Sequence, residues 1–510
     1  MNVRPPSWMT PVSAVFSGLL LALAFPPLEW VLLLPLAPVP WLVALAREES
    51  RGRALFSGFL FGMTYWCASI PWVVYVVTRY GGQGQLMGVV CLALLAVILA
   101  EWPAFVAWGV VASAPAGSGL RLAVFPLLWM ASEHARSFIY GGFPWNLTAH
   151  ALYRHPIWIQ SASLWGVFGA GFLVMAAASL LAGGIVRAKP LLWLAAGALA
   201  LATGLAGAVR LRQGEPDEQN RSFPVALLQP NVREEERRAP GGGAEVYRQV
   251  LDQALEAAAA RPVLTVVPES AFPTYWDRSP RLRADLAAAA GRSGGSILFN
   301  DVEEMPDGTY YNVARLAGAN GLIGRPYRKV HLVPFGEYVP LPKLFFFVRQ
   351  VSAEIGAFSA AAEPAVLEGR PLRVGVGVCY EILYPSLARE QVGRLGANLL
   401  ATISNDSWYG KAGAQAQHFA GALLRSVETE RYLLRAAITG ISGIVDQRGR
   451  IRAELPADAR AVLRGQARLY ETRTAWVRWG FWIPRAADAA AVLVLLFGLA
   501  RWLRPASAES

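Results

Sequence analysis

The chain has 510 residues, of which 54% are hydrophobic and only 16% are charged. Soluble globular proteins carry about 25% charged residues, so this composition excludes a protein that is soluble along its whole length. The formal net charge of +11 does not require a nucleic-acid partner, because basic cytoplasmic loops and contact with an anionic membrane surface account for such an excess.

Long apolar runs fill the first 212 residues, and charged residues are confined to the short gaps between them. A helix crosses the bilayer core with roughly 20 apolar residues, so these runs predict about eight spans. The predicted spans lie near residues 11–27, 29–46, 54–78, 87–113, 120–139, 157–186, 190–210 and 483–503. Proline interrupts the first two. We therefore expect a transmembrane domain of about seven helices over 1–212 and a C-terminal transmembrane helix over 480–505.

The positions of lysine and arginine predict the orientation of these spans, because short cytoplasmic loops are enriched in both. The arginines of REESRGR (47–53), Arg121 and Arg187 all fall on one side if the N-terminus is cytoplasmic. Both termini are then cytoplasmic, and the polar region over 213–475 lies outside. An alternative for the first span is a cleaved signal peptide, although the segment before it holds a single basic residue, Arg4.

The external region alternates short β-rich stretches with helical ones, which predicts an α/β domain over 220–470 whose sheets are covered by helices. The glycine-rich segment RRAPGGGAE (237–245) is predicted to be a flexible loop. The predicted strands lie at 223–232, 262–270, 295–304, 311–318, 373–381, 399–406 and 433–446, and the predicted helices at 244–260, 280–292 and 418–434.

Cys379 is the only one of the three cysteines in the external region, so it has no disulfide partner there. Cys67 and Cys91 fall within predicted spans, where we expect them to pack as small apolar side chains. An unpaired thiol in an oxidising compartment is either buried and inert or a reactive nucleophile. A metal site is not expected, because the external region holds only His331 and His418 and no Cys-x-x-Cys motif.

Reactive side chains follow three of the strand-like stretches. Glu269 comes after VVP, Lys329 precedes a loop that contains Glu337, and Cys379 follows GVGV. A thiol is mostly protonated at neutral pH, and it becomes a better nucleophile beside a base or a cation. A carboxylate can take its proton, and a lysine can stabilise the oxyanion that forms at an attacked carbonyl. Together the three residues suffice for acyl transfer without a metal or an organic cofactor.

The motifs around these residues resemble a known family. PES (268–270), YRKVHLVPFGE (327–337) and GVCYE (377–381) resemble the nitrilase superfamily of carbon–nitrogen hydrolases, and ISNDSWYG (403–410) strengthens that resemblance. The longer pattern K-x-H-L-V-P-F-G-E-Y-V-P, set between membrane spans, is more similar to the apolipoprotein N-acyltransferases. WMASEHARSFIYGGFPWN (129–146), in the membrane part, also resembles that family. The loop after the first strand departs from it, because REEERRAPGGG lacks the Lys-Trp pair that the family often has there.

The resemblance implies an α-β-β-α sandwich for the external domain and a role for each motif residue. It implies that Glu269 is the general base, Lys329 the oxyanion stabiliser and Cys379 the nucleophile. The amide N–H of Tyr380 would complete the oxyanion hole. The implied supporting residues are Tyr380, Glu337 and Glu381, and the implied substrate-binding residues are Trp408, Phe335 and Arg136. No metal or organic cofactor is implied.

The resemblance also implies a function, the final step of lipoprotein maturation. A fatty acyl chain would pass from a phospholipid, through a thioester on Cys379, to the α-amine of the diacylglyceryl-cysteine that begins an apolipoprotein. The partners would be the phospholipid donor and the diacylated apolipoprotein acceptor, with no nucleic acid. The protein would be a monomer, a multi-pass member of the bacterial cytoplasmic (inner) membrane with its catalytic domain in the periplasm.

Other interpretations of the same residues stay open. A membrane-anchored nitrilase-type amidase would share the three reactive residues and release ammonia from small amides. A Cys–His protease would use His331 as its base, and a transporter would place its function in the spans. The apolar segment LFFFVRQV (344–351) is either a buried helix or an arm that dips into the bilayer. Glu101, Glu133 and Arg136 fall within or near spans, where they serve either structure or a lipid headgroup.

Overall fold

The computed structural model describes residues 6–213, 222–334, 336–338, 358–411 and 413–503. The chain forms two compact units. Unit 1 comprises Met1–Tyr75, Gly84–Arg212 and Trp479–Ser510, and unit 2 comprises Val76–Gln83 and Gln213–Arg478. The sequence analysis did not connect Val76–Gln83 with the external α/β domain, so the assignment of this segment to unit 2 is a finding of the structure.

Helices and strands are numbered here in chain order among the described residues. The α-helices are α1 (Met9–Leu23), α2 (Val39–Arg47), α3 (Arg51–Ser69), α4 (Trp72–Arg79), α5 (Gln85–Ser113), α6 (Gly119–Arg136), α7 (Pro156–Ile159), α8 (Ala162–Arg187), α9 (Pro190–Arg212), α10 (Glu234–Arg238), α11 (Gly242–Ala258), α12 (Pro280–Ser293), α13 (Pro385–Gly393), α14 (Ala414–Thr429), α15 (Ala475–Trp479) and α16 (Trp482–Leu503). The strands are β1 (Phe223–Gln229), β2 (Leu264–Val266), β3 (Ser296–Glu304), β4 (Tyr310–Gly318), β5 (Gly321–Arg328), β6 (Val366–Gly369), β7 (Leu372–Val378), β8 (Leu399–Ser404), β9 (Leu433–Ala437), β10 (Ser442–Val445), β11 (Ile451–Leu455) and β12 (Ala461–Ala467).

Four helices among the described residues are long and apolar enough to cross a membrane: α5, α8, α9 and α16. Helices α3 and α4 meet at a 60° bend and together make a fifth candidate. The other three predicted spans do not meet this criterion. Helix α1 is only 15 residues long, the second span is broken into a 3-10 turn and the nine-residue α2, and α6 carries three charged residues. Proline accounts for the break in the second span, because it cannot continue a helix beyond its first turn.

Two glycines allow helices α3 and α5 of unit 1 to pack closely. A Cβ atom added at Gly58 of α3 would lie 2.3 Å from the carbonyl oxygen of Pro103 on α5, and one added at Gly62 would lie 2.5 Å from the Cα of Ala100. Small residues four positions apart let the backbones of two apolar helices approach closely. In a lipid environment the hydrophobic effect does not drive helices together, so van der Waals contact at such positions stabilises the pair. The α3–α5 contact therefore depends on these two glycines.

Unit 2 contains two six-stranded sheets. Their strand orders are β12-β1-β2-β3-β4-β5 and β11-β10-β9-β8-β7-β6. The central strands β1, β2 and β3 run parallel to one another, as do β7, β8 and β9, and the outer strands are antiparallel. Parallel strands bring their carboxyl ends to one edge of a sheet, so loops that follow them collect there.

Alternating burial along the strands builds a layered core. On β1, Val225 and Leu227 pack between the two sheets with residues of β7 and β8. Their neighbours Ala226 and Leu228 face the opposite way and pack against α11 and α12, as expected because successive strand residues point to opposite faces. Helices α13 and α14 contact the second sheet. The predicted fold class, an apolar helical region with an α/β domain of two helix-covered sheets, is confirmed.

The strands that the sequence analysis missed share one position in the sheets. The sequence analysis missed β5, β6, β11 and β12, which are the four edge strands of the two sheets. Edge strands face solvent along one side and tolerate polar residues, so their hydrophobic pattern is weak. The predicted single strand at 433–446 is the pair β9 and β10, and helix α11 begins at Gly242, inside the predicted loop 237–245.

Candidate active site

Cys379 lies where the central strand β7 ends and a short 3-10 helix, Cys379–Leu383, begins. Its φ angle is +54°, a left-handed conformation that costs energy for any residue other than glycine. Such strain concentrates at functional sites, where the surrounding structure holds it in place. The residue is 7% exposed, so the sharp turn presents a nearly buried thiol at the strand end.

Glu269 lies just beyond β2 and is held from two sides. Its Oε1 accepts a hydrogen bond of 3.0 Å from the side-chain amide of Asn312 on β4. Its Oε2 accepts one of 3.0 Å from the main-chain N–H of Asn405, which follows β8. The carboxylate is therefore fixed by groups from both sheets, and it is almost fully buried.

Lys329 follows β5 directly and is only 1% exposed. Its Nζ lies 3.0 Å and 2.9 Å from the two carboxylate oxygens of Glu337 and 3.9 Å from Oε1 of Glu269. The amide of Asn312 also donates to Glu337, at 2.9 Å, so one asparagine links both carboxylates. A buried ammonium is tolerable only when anions and hydrogen bonds replace its water, and this pocket supplies both.

The electrostatics of the three groups are interdependent. Burial raises the pKa of the Cys379 thiol well above its usual range, and the negative charge of Glu269 adds to this effect while Lys329 opposes it. Burial also raises the pKa of Glu269, with Lys329 again opposing. Although burial disfavours the charged form of Lys329, Glu337 and Glu269 raise its pKa above the usual range. These shifts favour a neutral Cys379 thiol and a cationic Lys329 at neutral pH.

Glu381 connects the turn at Cys379 to the residues on either side of Lys329. Its Oε2 accepts a hydrogen bond of 2.8 Å from the N–H of Val378, and its Oε1 accepts one of 2.6 Å from the hydroxyl of Tyr327 and one of 3.2 Å from the N–H of Val330. Burial raises the pKa of Glu381 to about 7, although Lys329 opposes the shift. The side chain is fully buried, and its hydrogen bonds tie the end of β7 to the residues that follow β5.

Trp408 lies on the loop after β8 and is covered by residues far away in sequence. The ring of Tyr80 packs against the Trp408 ring, with centroids 4.4 Å apart and the planes tilted by 54°, and the Tyr80 hydroxyl donates a hydrogen bond of 2.9 Å to the carbonyl of Ser407. The neighbouring Arg79 pairs with Glu235 of α10. These contacts explain why Val76–Gln83 belongs to unit 2.

Two family models match the chain. Residues 17–180 match the apolipoprotein N-acyltransferase N-terminal domain, and residues 225–475 match the carbon–nitrogen hydrolases. The apolipoprotein N-acyltransferase of Geobacter metallireducens is 37% identical to it over 95% of this chain and 94% of its own length. The chain belongs to the apolipoprotein N-acyltransferase family. The family member of Methylococcus capsulatus is 30% identical over 96% of both chains.

Among solved structures, Saccharomyces cerevisiae Nit3, a nitrilase-superfamily member, is similar at 20% identity and a TM-score of 0.37, covering 49% of this chain and 90% of its own. The amidase from Nesterenkonia sp. AN1 is similar at 19% identity and a TM-score of 0.38, covering 52% and 96%. The predicted membership of the N-acyltransferase family is confirmed by the curated relatives and the family models. The roles of individual residues stay predictions.

The remaining predicted site residues of this N-acyltransferase family member lie elsewhere or outside the described residues. Arg136 lies in unit 1, where its guanidinium donates to the carbonyl of Trp145 at 2.8 Å and sits 4.8 Å above the Trp66 ring. It lines a cavity of about 30 Å³ together with Glu133, which accepts a 2.6 Å hydrogen bond from the N–H of Thr148. The predicted substrate-binding residue Phe335 and the apolar segment 344–351 lie outside the described residues.

His331, the base that a Cys–His protease would need, is placed as a packing residue. Its ring stacks on Tyr384 with centroids 3.9 Å apart and the planes 3° from parallel. Burial and the nearby charge of Lys329 lower the pKa of His331 to about 4. A neutral imidazole in an aromatic stack is a poor candidate for the base of this family's site, whereas Glu269 already lies against Lys329.

Some residues at the site were not assigned by the sequence analysis. Asn312 and Asn405 hold Glu269, while His418 and Asp406 lie behind Cys379. Asn405 and Asp406 belong to the motif ISNDSWYG, so the family resemblance marked their positions but not their contacts. No group of three or more His, Cys, Asp or Glu side chains suited to a metal occurs in the part of the chain that the structure describes.

Proposed function

We propose that this acyltransferase moves a fatty acyl chain from a phospholipid to the N-terminal amine of diacylated apolipoproteins, by a ping-pong reaction on Cys379. The observation that carries the proposal is the buried set of Cys379, Glu269 and Lys329, in a chain whose relatives along almost its whole length are apolipoprotein N-acyltransferases. The three groups match the requirements of an activated thiol nucleophile.

The first half-reaction forms the acyl-enzyme. Glu269 takes the thiol proton as the Cys379 sulfur attacks the ester carbonyl, forming a carbon–sulfur bond. The ammonium of Lys329 and the N–H of Tyr380 stabilise the resulting oxyanion, as donors do at sites of acyl transfer. The intermediate then expels the glyceryl oxygen, which receives the proton from Glu269 and leaves as a lysophospholipid. A base with a raised pKa suits this step, because it binds the proton more tightly than an ordinary carboxylate.

The second half-reaction passes the chain to the acceptor. The α-amine of the diacylglyceryl-cysteine attacks the thioester carbonyl and gives a proton to Glu269. The carbon–sulfur bond breaks, an amide forms, and the Cys379 thiolate regains the proton. A thioester already carries the activation that amide formation needs, so no nucleotide takes part. The proposal assigns Trp408 and Phe335 to the entrance for the acyl chains and Arg136 to a lipid headgroup.

The proposed topology places the catalytic domain, 220–470, in the periplasm and both termini in the cytoplasm of a bacterial inner-membrane protein. Val76–Gln83 and Gln213–Arg478 belong to one compact unit, so both must lie on the same side of the membrane. An even number of crossings must therefore separate them. Apart from the four-residue α7, the helices in that interval are α5, α6, α8 and α9, which supports a crossing by α6 in spite of its charges.

The membrane-anchored amidase is the second candidate, because the match of residues 225–475 is to carbon–nitrogen hydrolases in general. It would use the same three residues and differ in the acceptor. Ammonia release from small amides that is faster than transfer to a lipopeptide would favour the amidase over the acyltransferase.

The test uses purified full-length protein and a phospholipid that carries a labelled sn-1 acyl chain. We expect label on Cys379 that neutral hydroxylamine removes, and discharge of that label on addition of a diacylated lipopeptide. The control Cys379→Ser would give an oxygen ester that neutral hydroxylamine leaves intact. The proposal is refuted if Cys379→Ala still forms a labelled acyl-enzyme.

A further inference from the structure

His418 is a fully buried residue of α14, and its side chain contacts the main chain of Cys379. Its Nε2 lies 3.1 Å from the carbonyl oxygen of Cys379. Its Nδ1 lies 3.0 Å from Oδ1 of Asp406 and 3.2 Å from Nη2 of Arg435. The imidazole thus bridges the nucleophile turn and an internal ion pair, and the Cys379 atom it meets is the carbonyl oxygen rather than the sulfur.

The contacts define what Nε2 does. A carbonyl oxygen only accepts hydrogen bonds, so Nε2 must carry a proton and donate it to Cys379. Nδ1 either donates to Asp406 in the imidazolium form or accepts from Arg435 in the neutral form, and Nε2–H is present in both. The donation to Cys379 is therefore independent of the charge of His418.

The carbonyl of Cys379 and the N–H of Tyr380 belong to the same peptide group. A trans peptide is planar, and its C=O and N–H point in opposite directions. A donor that fixes the carbonyl of Cys379 therefore also fixes the direction of the Tyr380 N–H. Hydrogen bonds in a chain polarise one another, so donation to the carbonyl also makes that N–H a stronger donor.

The far side of the imidazole is held rigidly. Asp406 accepts hydrogen bonds of 2.6 Å from Nη2 of Arg435 and 2.6 Å from the hydroxyl of Ser404. Although burial opposes it, Arg435 and His418 hold the pKa of Asp406 well below its usual range, so the residue is an anion. A Cβ atom added at Gly440 would lie 2.0 Å from Oδ2 of Asp406. The backbone at Gly440 thus packs directly against the Asp406 carboxylate, which limits the movement of that side chain.

We infer that His418 is a positioning residue that aims the Tyr380 N–H at the oxyanion, acting through the Cys379 carbonyl. The inference rests on the proposed function, since it needs acyl transfer at Cys379. It predicts that loss of the Nε2 donor slows steps with an oxyanion and spares reactions of Cys379 that form none.

A matched pair of substitutions tests this. In His418→Gln the amide nitrogen reaches the place of Nε2 and can still donate to Cys379. In His418→Asn the shorter amide reaches the place of Nδ1, so it keeps a partner for Asp406 and loses the donor to Cys379. We measure single-turnover acylation by labelled phospholipid and alkylation of Cys379 by iodoacetamide, which forms no oxyanion. Melting temperatures are measured alongside to check that both variants are folded.

We expect acylation to fall about 10- to 100-fold in His418→Asn, since removal of one oxyanion donor costs about 10²–10³-fold and here the donor is only misdirected. His418→Gln should stay within about threefold of the wild type, and alkylation should change by less than about threefold in both. Equal acylation losses in the two variants, or parallel losses of acylation and alkylation, would overturn the inference.

Two further arms keep the result decisive. If His418→Asn does not fold, Asp406→Asn replaces it, because it loosens the ring while leaving the Nε2 donor present. We then expect a smaller loss, about 3- to 10-fold in acylation alone, and an equal loss in alkylation would contradict the inference. The variant Cys379→Ala tests the proposed function separately. Labelling that survives in Cys379→Ala would refute Cys379 as the nucleophile, whereas equal effects of the two His418 substitutions would refute only the positioning role of His418.

Discussion

Replacing Glu337 by glutamine should weaken both the fold of unit 2 and the acyl-transfer step. The carboxylate of Glu337 accepts hydrogen bonds from the Asn312 amide at 2.9 Å, from the Lys329 ammonium at 3.0 Å and from the Val333 N–H at 2.8 Å. The Asn312 bond reaches Oε1 and the Val333 bond reaches Oε2. A glutamine has one oxygen, so its NH₂ must face one of these two donors in either orientation.

One buried donor then loses its acceptor, which costs about 1–3 kcal/mol of unfolding free energy. The ammonium of Lys329 also loses the nearer of its two anions, and Glu269 at 3.9 Å remains. With Lys329 held less firmly, we expect single-turnover acylation to fall about 100-fold, equivalent to about 2.7 kcal/mol in the barrier.

The assay is acylation by labelled phospholipid at saturating donor, alongside thermal unfolding of the purified protein. Glu304→Gln is the matched control, because Glu304 is an exposed carboxylate that pairs with Arg278 outside the site. It should leave both measurements unchanged. Wild-type acylation in Glu337→Gln, with a lowered melting temperature, would refute the dependence of Lys329 on Glu337 and leave Glu337 a purely structural residue.

Three further outcomes are expected. Glu269→Gln should abolish both acylation and iodoacetamide alkylation of Cys379. Because burial raises the pKa of Glu269, the wild-type acylation rate should already decline on acidification at a pH above about 4.3, the usual pKa of a glutamate carboxyl group; an acylation rate that does not change on acidification would contradict the role of Glu269 as base. The folded-state pKa of Asp406 is lowered, so its stabilisation is complete at neutral pH and is lost as the pH falls below about 4; the melting-temperature gap between the wild type and Asp406→Asn should narrow on acidification, and a constant gap would argue against the ion pair. In unit 1, Gly62→Ala should reduce thermal stability because its Cβ meets the backbone of Ala100, whereas Gly197→Ala, with open space around its Cβ, should not; equal effects would contradict the α3–α5 contact.

The sequence predicted the chemistry of the site better than its supports. The motifs around Glu269, Lys329 and Cys379 marked the three residues as one site, although Glu269 and Cys379 follow strands of different sheets and Lys329 follows β5, which the sequence analysis missed. Their proximity could therefore be foreseen from the family resemblance, and not from a shared sheet edge. The holding groups could not. Asn405 supports Glu269 through a main-chain N–H, which no side-chain pattern encodes, and Asn312 lies near the start of a strand-like stretch with no catalytic signature.

The same contrast appears in the fold. Central strands such as β7 carry continuous apolar runs and were predicted, whereas the polar edge strands were not. In the membrane part, composition overestimated continuity. Residues 29–46 are apolar enough to suggest a span, but their prolines leave only the short helix α2. Hydropathy measures how strongly the side chains of a segment prefer an apolar environment to water, but it does not measure whether the backbone can remain helical.

Tyr80 and Arg79 have a consequence for how this chain can be divided. A fragment cut at the sequence boundaries of the hydrolase-like region would leave behind Val76–Gln83, which supplies the ring against Trp408 and the partner of Glu235. The α/β unit is thus discontinuous in the chain. The two portions are therefore not separable modules, and exchanging one of them between relatives requires exchanging this segment as well.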